Sequence, residues 1–276
     1  KSVMYASDGT TKIAEFYADN RTVVPLKKIS KPMRQAVVAR EDRRFFQHHG
    51  VDIQGVMRAF VQTFIKKGSM QGGSSLTQQY VKMSLISAAQ ARGDSDGVQK
   101  AQENTITRKI QELRYAIALE KQLTKDQILE RYLNIAYYGD GAYGVEAAAL
   151  NYFGVHASKL TLPQAALLAG MVRNPVGTNP RTSGLALVAK QRRNDVLDRM
   201  ASKDVAVITP QEAAKAKTAK LGIVKAKPKL HGCGNAEFPF ICDYVERTLL
   251  ASPMSAAWAA VNGKVADPRE LFNKEV

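Results

Sequence analysis

The chain has 276 residues, and its 40 lysines and arginines against 25 aspartates and glutamates give a formal net charge of +15 with 45% apolar residues. That length holds one large domain or one domain and an appendage, and that apolar fraction supports a folded core and excludes a disordered chain. The charge requires an anionic partner, whether nucleic acid, a membrane surface or a phosphorylated substrate, and does not choose among them.

No run of about 18 apolar residues occurs and the start has no secretory apolar region, so the sequence given neither spans a membrane nor carries an export signal. Either it is soluble or its anchor lies outside it. In chain order, 3–6 and 13–17 are short β-prone runs around Asp8 and Gly9, a hairpin signal. Residues 30–40 predict a helix, with Ser30 as cap, Pro32 in the first turn, and Met33, Ala36 and Val37 as an apolar stripe.

That helix ends in the densest chemistry of the chain: Glu41, Asp42, Arg43, Arg44, Phe45, Phe46, Gln47, His48, His49 and Gly50. At a helix C-terminus, beside two phenylalanines, Glu41 is placed where a carboxylate becomes basic enough to take a proton. The plainer alternative is that Glu41 and Asp42 pair with Arg43, Arg44 or a histidine. After Asp52 as N-cap, Ile53, Val56, Met57, Phe60, Val61, Phe64 and Ile65 follow helical spacing, a stripe fit either for the core or for a membrane interface.

Gly72 and Gly73 permit close backbone approach, and Ser75 with Gln78 forms a capping-box pattern whose free amides could hold an anion, with Lys82 adding charge from the side. Residues 88–102 read as a polar loop. The helix around 107–120 is expected to turn Ile106, Ile110, Leu113 and Ile117 inward, and Arg108, Lys109 and Glu112 share a face, which by itself is an ordinary surface network. Thr124 with Gln127 opens a helix to Asn134, a short helix runs over 145–149, and Thr161 with Gln164 opens another, stopped by Pro175 and Pro180. The helix over 183–200 is expected to expose 191–195 and bury Val196, Leu197 and Met200. Beyond about 205 an Ala/Lys helix and a basic linker lead into a tail too short for a sizeable core of its own. Its two cysteines, Cys233 and Cys242, fit no four-ligand zinc pattern and are equally allowed as a disulfide or as two buried thiols.

Taken together, Glu41, Asp42, Phe45, His48, Gly50 and Asp52; Gly72, Gly73, Ser74, Thr77, Gln78, Gln79 and Lys82; Arg108, Lys109 and Glu112; Tyr132, Leu133, Asn134, Gly139, Gly144, Tyr152, Phe153 and Gly154; and Arg173, Asn174, Pro175, Asn179 and Pro180 stand in the order and spacing of one family. The chain resembles the peptidoglycan glycosyltransferase domain of the class A penicillin-binding proteins. Five motifs carry the resemblance over about residues 30–200.

The resemblance implies a mostly α, lysozyme-like fold with a short N-terminal β-hairpin, a glycosyltransferase domain over 1–204, and a linker or the start of a truncated transpeptidase region over 205–276. It implies polymerisation of lipid II by inverting transfer from a polyprenyl-pyrophosphate-linked glycan to the GlcNAc 4-hydroxyl of a new lipid II, on the outer face of the bacterial cytoplasmic membrane, behind an N-terminal anchor absent from this chain. By the same resemblance Glu41 is the catalytic base and Glu112 a second catalytic carboxylate, able to orient cations or hold a divalent Mg or Mn ion. Asp42, Phe45, His48, Gly73, Ser74, Thr77, Gln78, Gln79, Lys82, Arg108, Lys109, Asn134, Arg173 and Asn174 are expected at the substrate, and lipid II, nascent glycan, a membrane surface and moenomycin-type inhibitors are the implied partners. No Ser-x-x-Lys with a later Lys-Thr-Gly occurs, so no acyl transfer is expected. One departure stands out: Asn104 occupies a position where the family often has an arginine that reaches the pyrophosphate. A lysozyme-like hydrolase would share the fold without needing the Lys82, Arg108 and Lys109 cluster. A basic nucleic-acid-binding helical module would place two glutamates against phosphates, so no nucleic-acid partner is expected.

Overall fold

The computed structural model describes residues 2–16, 19–50, 74–103, 105–226, Cys233, Ala236 and 239–245. The expectations for Asp52, the 53–65 stripe, Gly72, Gly73, Asn104 and the far tail lie outside the described residues. Two compact units emerge, one of residues 19–226 and one of residues 1–18 with 227–276. In chain order the elements are β1 (Ser2–Tyr5), β2 (Lys12–Phe16), β3 (Asn20–Arg21), α1 (Lys31–Glu41), α2 (Leu76–Ala91), α3 (Ser95–Gln102), α4 (Ile106–Gln122), α5 (Lys125–Ile135), β4 (Ala142–Tyr143), α6 (Val145–Phe153), α7 (Leu162–Met171), α8 (Ala186–Ala201), α9 (Pro210–Thr218) and α10 (Pro239–Val245).

The larger unit is helical, and its helices begin where side chains satisfy the orphan amides of the first turn. Ser30 accepts from the Met33 amide at 3.3 Å and Thr124 from the Gln127 amide at 3.3 Å, while Gln127 returns a bond to the Thr124 amide at 2.9 Å. Asp94 does the same for the Gly97 amide at 2.8 Å, which makes 95–102 a helix where its polar composition reads as loop. The core is centred on α7, where Pro163 and all of 165–171 are buried, a helix apolar all round as a central helix must be. Against it lie α1, through Met33, Ala36, Val37 and Ala39, and α8, through Ala189, Val196, Leu197 and Met200. Gly170 lets α8 approach closely: a Cβ there would stand 3.0 Å from the Arg192 carbonyl oxygen.

Further expectations are corrected in this unit. On α4 the residues turned inward are Glu112 and Ala116, whereas Ile106, Ile110 and Ile117 are 82%, 53% and 42% exposed. Periodicity told which residues share a face, and the buried ion pairs of Glu112 decided which face points in. On α8, Arg193 is buried rather than exposed, and it donates to the Lys217 carbonyl at 2.6 Å and to Asn194 Oδ1 at 2.8 Å. It thereby satisfies a carbonyl at the C-terminal end of α9 and fastens α9 to α8. The boundary expected at 204 thus falls inside the compact unit, which continues to 226.

In the smaller unit β1 and β2 pair antiparallel, with Val3 opposite Glu15 and Met4 opposite Ala14, across a turn in which Asp8 accepts from the Thr10 and Thr11 amides at 2.8 Å. Ile13 and Ala14 share a small core with Ala236 and Cys242, and Cys242 is disulfide-bonded to Cys233. The pairing selects one of the two alternatives that sequence left open. The native protein is expected to take up no alkylating reagent on cysteine, and after reduction to gain two adducts by mass; alkylation of both cysteines without reductant would refute the bond.

Candidate active site

Glu41 closes α1 with 4% exposure, and its cation partner comes from far along the chain. Arg173 Nε donates to Oε1 at 3.1 Å and to Oε2 at 3.0 Å from 132 positions away, and Gln79 Nε2 donates to Oε2 at 3.0 Å. Gln79 is itself oriented by the Tyr132 hydroxyl, which donates to its Oε1 at 3.1 Å. The Glu41 side chain is wholly buried, and these partners fix both of its oxygens. Burial first and the Glu41 charge second raise the Tyr132 hydroxyl well above the ordinary tyrosine value, keeping it neutral and able to donate. Tyr138, buried with a hydroxyl that has no hydrogen-bond partner, is raised by the same two causes.

Beside Glu41, the Nε of Arg40 is buried without a partner, and burial, followed by repulsion from Arg173, lowers that guanidinium below its ordinary value. Sequence reasoning quoted Tyr132 as a motif residue without a role at the site, and gave Arg40, the end of its predicted helix, none. The pairing of Glu41 with Arg173 had no local signal at all.

A second cluster holds cations. Glu112, 3% exposed, pairs with Arg108 through Nη1 and with Lys109 Nζ at 3.1 Å, and Lys109 Nζ also donates to Ser74 Oγ at 2.7 Å. Burial first, then Arg108 and Lys82, push the Lys109 amine down to about 8. Burial and Arg108 also lower Lys82. Arg108 and Lys109 therefore share one carboxylate with Lys82 close enough to be felt by both, an arrangement that an incoming anion relieves. The donor set does not fit the divalent Mg or Mn ion considered at Glu112. Both carboxylate oxygens already face Arg108 and Lys109, and no group of three His, Cys, Asp or Glu side chains gathers among the described residues. Glu112 serves as a positioning residue for the two cations.

The two clusters share α2, which points Gln79 at Glu41 and Lys82 toward Arg108 and Lys109. Those positions are three residues apart, about 4.5 Å along the helix axis. The start of α2 is fixed by residues that sequence reasoning placed at the substrate. Asp42 Oδ2 accepts from the Leu76 amide at 3.0 Å and lies 2.8 Å from His48 Nε2; Ser75 Oγ accepts from the Gln78 amide at 3.2 Å and donates to the Gly50 carbonyl at 2.7 Å. Two of the amides expected to hold an anion, those of Leu76 and Gln78, are thus already used. Gly50, at φ +78, lies against α4, where a Cβ would be 3.0 Å from the Ile117 backbone.

Other expected substrate residues also build the site from within. Phe45 is fully buried with Lys125 Nζ 4.5 Å from its ring centre. Thr77 is buried against Glu120, and Gln78 serves as the capping residue of α2. Asn134 bonds both backbone groups of Val24, at 2.9 and 2.8 Å, and pins the entry to the helical unit onto α5. Asn174 turns its Oδ1 onto the Gly177 amide at 3.0 Å, shaping the turn after Arg173. Gly73 lies outside the described residues. Replacing Asp42 by alanine strips the partner from a buried amide and from His48, and is expected to cost about 1–3 kcal/mol of unfolding free energy in urea titration; a loss below about 0.5 kcal/mol would return Asp42 to a ligand-binding role.

Comparison with known proteins covers the same residues. The family described as transglycosylase matches residues 9–201. Penicillin-binding protein 1A of Escherichia coli (strain K12) is 40% identical over 215 residues, which cover 78% of this chain and 23% of that protein. Penicillin-binding protein 1A/1B of Bacillus subtilis (strain 168) is 37% identical over 235 residues, covering 79% of this chain and 24% of that protein. Penicillin-binding protein 1A of Aquifex aeolicus (strain VF5) is 38% identical over 205 residues, covering 74% and 26%. The chain spans about a quarter of the length of these relatives. With Glu41, Gln79, Lys82, Arg108, Lys109, Glu112 and Arg173 all inside the matched span, this chain belongs to the transglycosylase family, the glycosyltransferase domain of the class A penicillin-binding proteins.

Proposed function

We propose that this domain polymerises lipid II, transferring a glycan from a polyprenyl-pyrophosphate-linked donor to the GlcNAc 4-hydroxyl of an acceptor lipid II, at the outer face of the cytoplasmic membrane. The observation that carries the reading is the placement, through one helix, of an ordered, buried carboxylate and, about a turn away, a cluster of three cations. Inverting transfer asks for that pair: a base on the face where the acceptor hydroxyl attacks and positive charge on the opposite side, where the phosphate leaves.

Glu41 accepts the proton of the attacking hydroxyl. Arg173 and Gln79 hold both its oxygens, so the carboxylate pays little orientational entropy when the acceptor arrives. Lys82, Arg108 and Lys109 take up the charge that develops on the departing pyrophosphate, with Glu112 keeping Arg108 and Lys109 in place. An inhibitor of the moenomycin type, which the family reading implies, would meet the same cations.

The test is polymerisation of labelled lipid II in detergent or bilayers. Glu41→Gln keeps the shape and removes the basicity, and is expected to lower the rate by about 10²–10⁴-fold with thermal unfolding unchanged; near wild-type polymerisation would remove Glu41 from the role.

A pH profile checks the cation cluster separately. Lys109 is held at about 8, below the ordinary lysine value, so it is charged below that pH and loses its proton as pH rises through it. An anionic donor binds the charged form, so kcat/KM is expected to fall above about pH 8 while kcat, measured with the anion bound and the proton retained, holds to higher pH. Lys109→Arg should flatten the kcat/KM limb. A wild-type kcat/KM constant to about pH 9.5 would contradict the assignment.

A further inference from the structure

The donor in this reading has two ends of opposite character, an anionic pyrophosphate and a long apolar chain, and α4 carries surfaces suited to both. Its inward face holds Glu112 and Ala116, with Arg108 and Lys109 beside them. Ile106, Ile110, Leu113 and Ile117 recur at three- and four-residue steps and so form one stripe along the helix. Ile106 is 82% exposed, Ile110 53% and Ile117 42%, and Leu113 is partly buried.

A single exposed isoleucine needs no explanation, whereas three in register on a helix that also holds an anion site do. Lys109 is three positions after Ile106 and one before Ile110, so by helical geometry it stands between the stripe and the buried Glu112 face. From Ile106 to Ile117 the stripe is about 16 Å long, the span of a few isoprene units. A wholly buried role is ruled out by the exposures, and a solvated role costs apolar surface that alanine or lysine at those positions would avoid.

We propose that the outer stripe of α4 is the bed for the first isoprene units of the donor's polyprenyl chain, laid down from a pyrophosphate held by Lys82, Arg108 and Lys109. This rests on the proposed function for the identity of the head group. The stripe contributes chain binding and leaves the acceptor and the base untouched, so it selects donors by chain length.

The test compares wild type with the double variant Ile106→Ser, Ile110→Ser on a long-chain lipid II and on a donor cut to a single isoprene unit, together with calorimetric binding of long-chain polyprenyl pyrophosphate in detergent. The variant is expected to lose about tenfold or more in kcat/KM on the long-chain donor, mostly through KM, to weaken polyprenyl pyrophosphate binding by a similar factor, and to match wild type on the short donor with unchanged thermal unfolding. Equal losses on both donors, or no loss on the long one, would overturn the proposal. A large fall in melting temperature would overturn it too, by making the stripe a packed surface covered by another part of this chain. A shift from dimer to monomer in the variant would assign the stripe to a second copy instead. If wild type transfers neither donor yet still binds long-chain polyprenyl pyrophosphate more tightly than the variant, the transfer reading fails and the stripe assignment stands.

Discussion

The site depends on how the first turn of α2 is satisfied. A helix start leaves four amides without intrahelical partners, and here the residue after α1 and the cap of α2 each take one. The Asp42 carboxylate takes the Leu76 amide, and Ser75 takes the Gln78 amide while holding the Gly50 carbonyl. The residue after Glu41 therefore sets the position of the helix that orients Glu41. Because Gln79 and Lys82 ride on that helix, a displacement of Asp42 would move both the carboxylate's partner and the cation cluster, which explains why the aspartate beside Glu41 is buried and paired with His48 instead of being open to a ligand.

Charge is distributed unequally between the two clusters, and the inequality is itself functional. Glu41 is matched by Arg173 and hydrogen-bonded by Gln79, so it is ordered without any ligand. Among the described residues Arg108 and Lys109 share one carboxylate, Glu112, and the cost shows in Lys109, held at about 8 by burial and by the cations of Arg108 and Lys82. Cations that repel one another in the free protein gain most when a multiply charged anion arrives, and in a partly buried site that gain is little screened. That is the charge arrangement the proposed reaction needs at its leaving group.

Much of this was legible in the sequence because it is written locally. The caps at Ser30, Ser75, Thr124 and Thr209 announce helix starts, and all four accept the amide three residues on. The motif residues of the two clusters were also named from their order along the chain. What failed was long-range or directional. Nothing near Glu41 announces Arg173, and a stripe of isoleucines at helical spacing cannot declare whether it faces the core. The inward side of α4 was decided by Glu112, whose buried pairing with Arg108 and Lys109 outweighs the burial that turning the stripe inward would offer.

The residues that were expected at the substrate and lie inside carry a related lesson about order. Thr77 on Glu120, and Lys125 on Glu120 and over the Phe45 ring, join α2, the end of α4 and the start of α5 in one polar network, and Asn134 on Val24 separately pins the entry to the unit. Buried polar groups cost free energy unless every partner is in place, so such a network tolerates one arrangement and penalises neighbouring ones. An apolar core around α7 supplies cohesion without direction. It is the polar network that fixes the angle between α2 and α4, and with it the spacing between the base and the cations. A sequence motif in this chain marks, as often as a contact with substrate, a bond that keeps two helices from slipping.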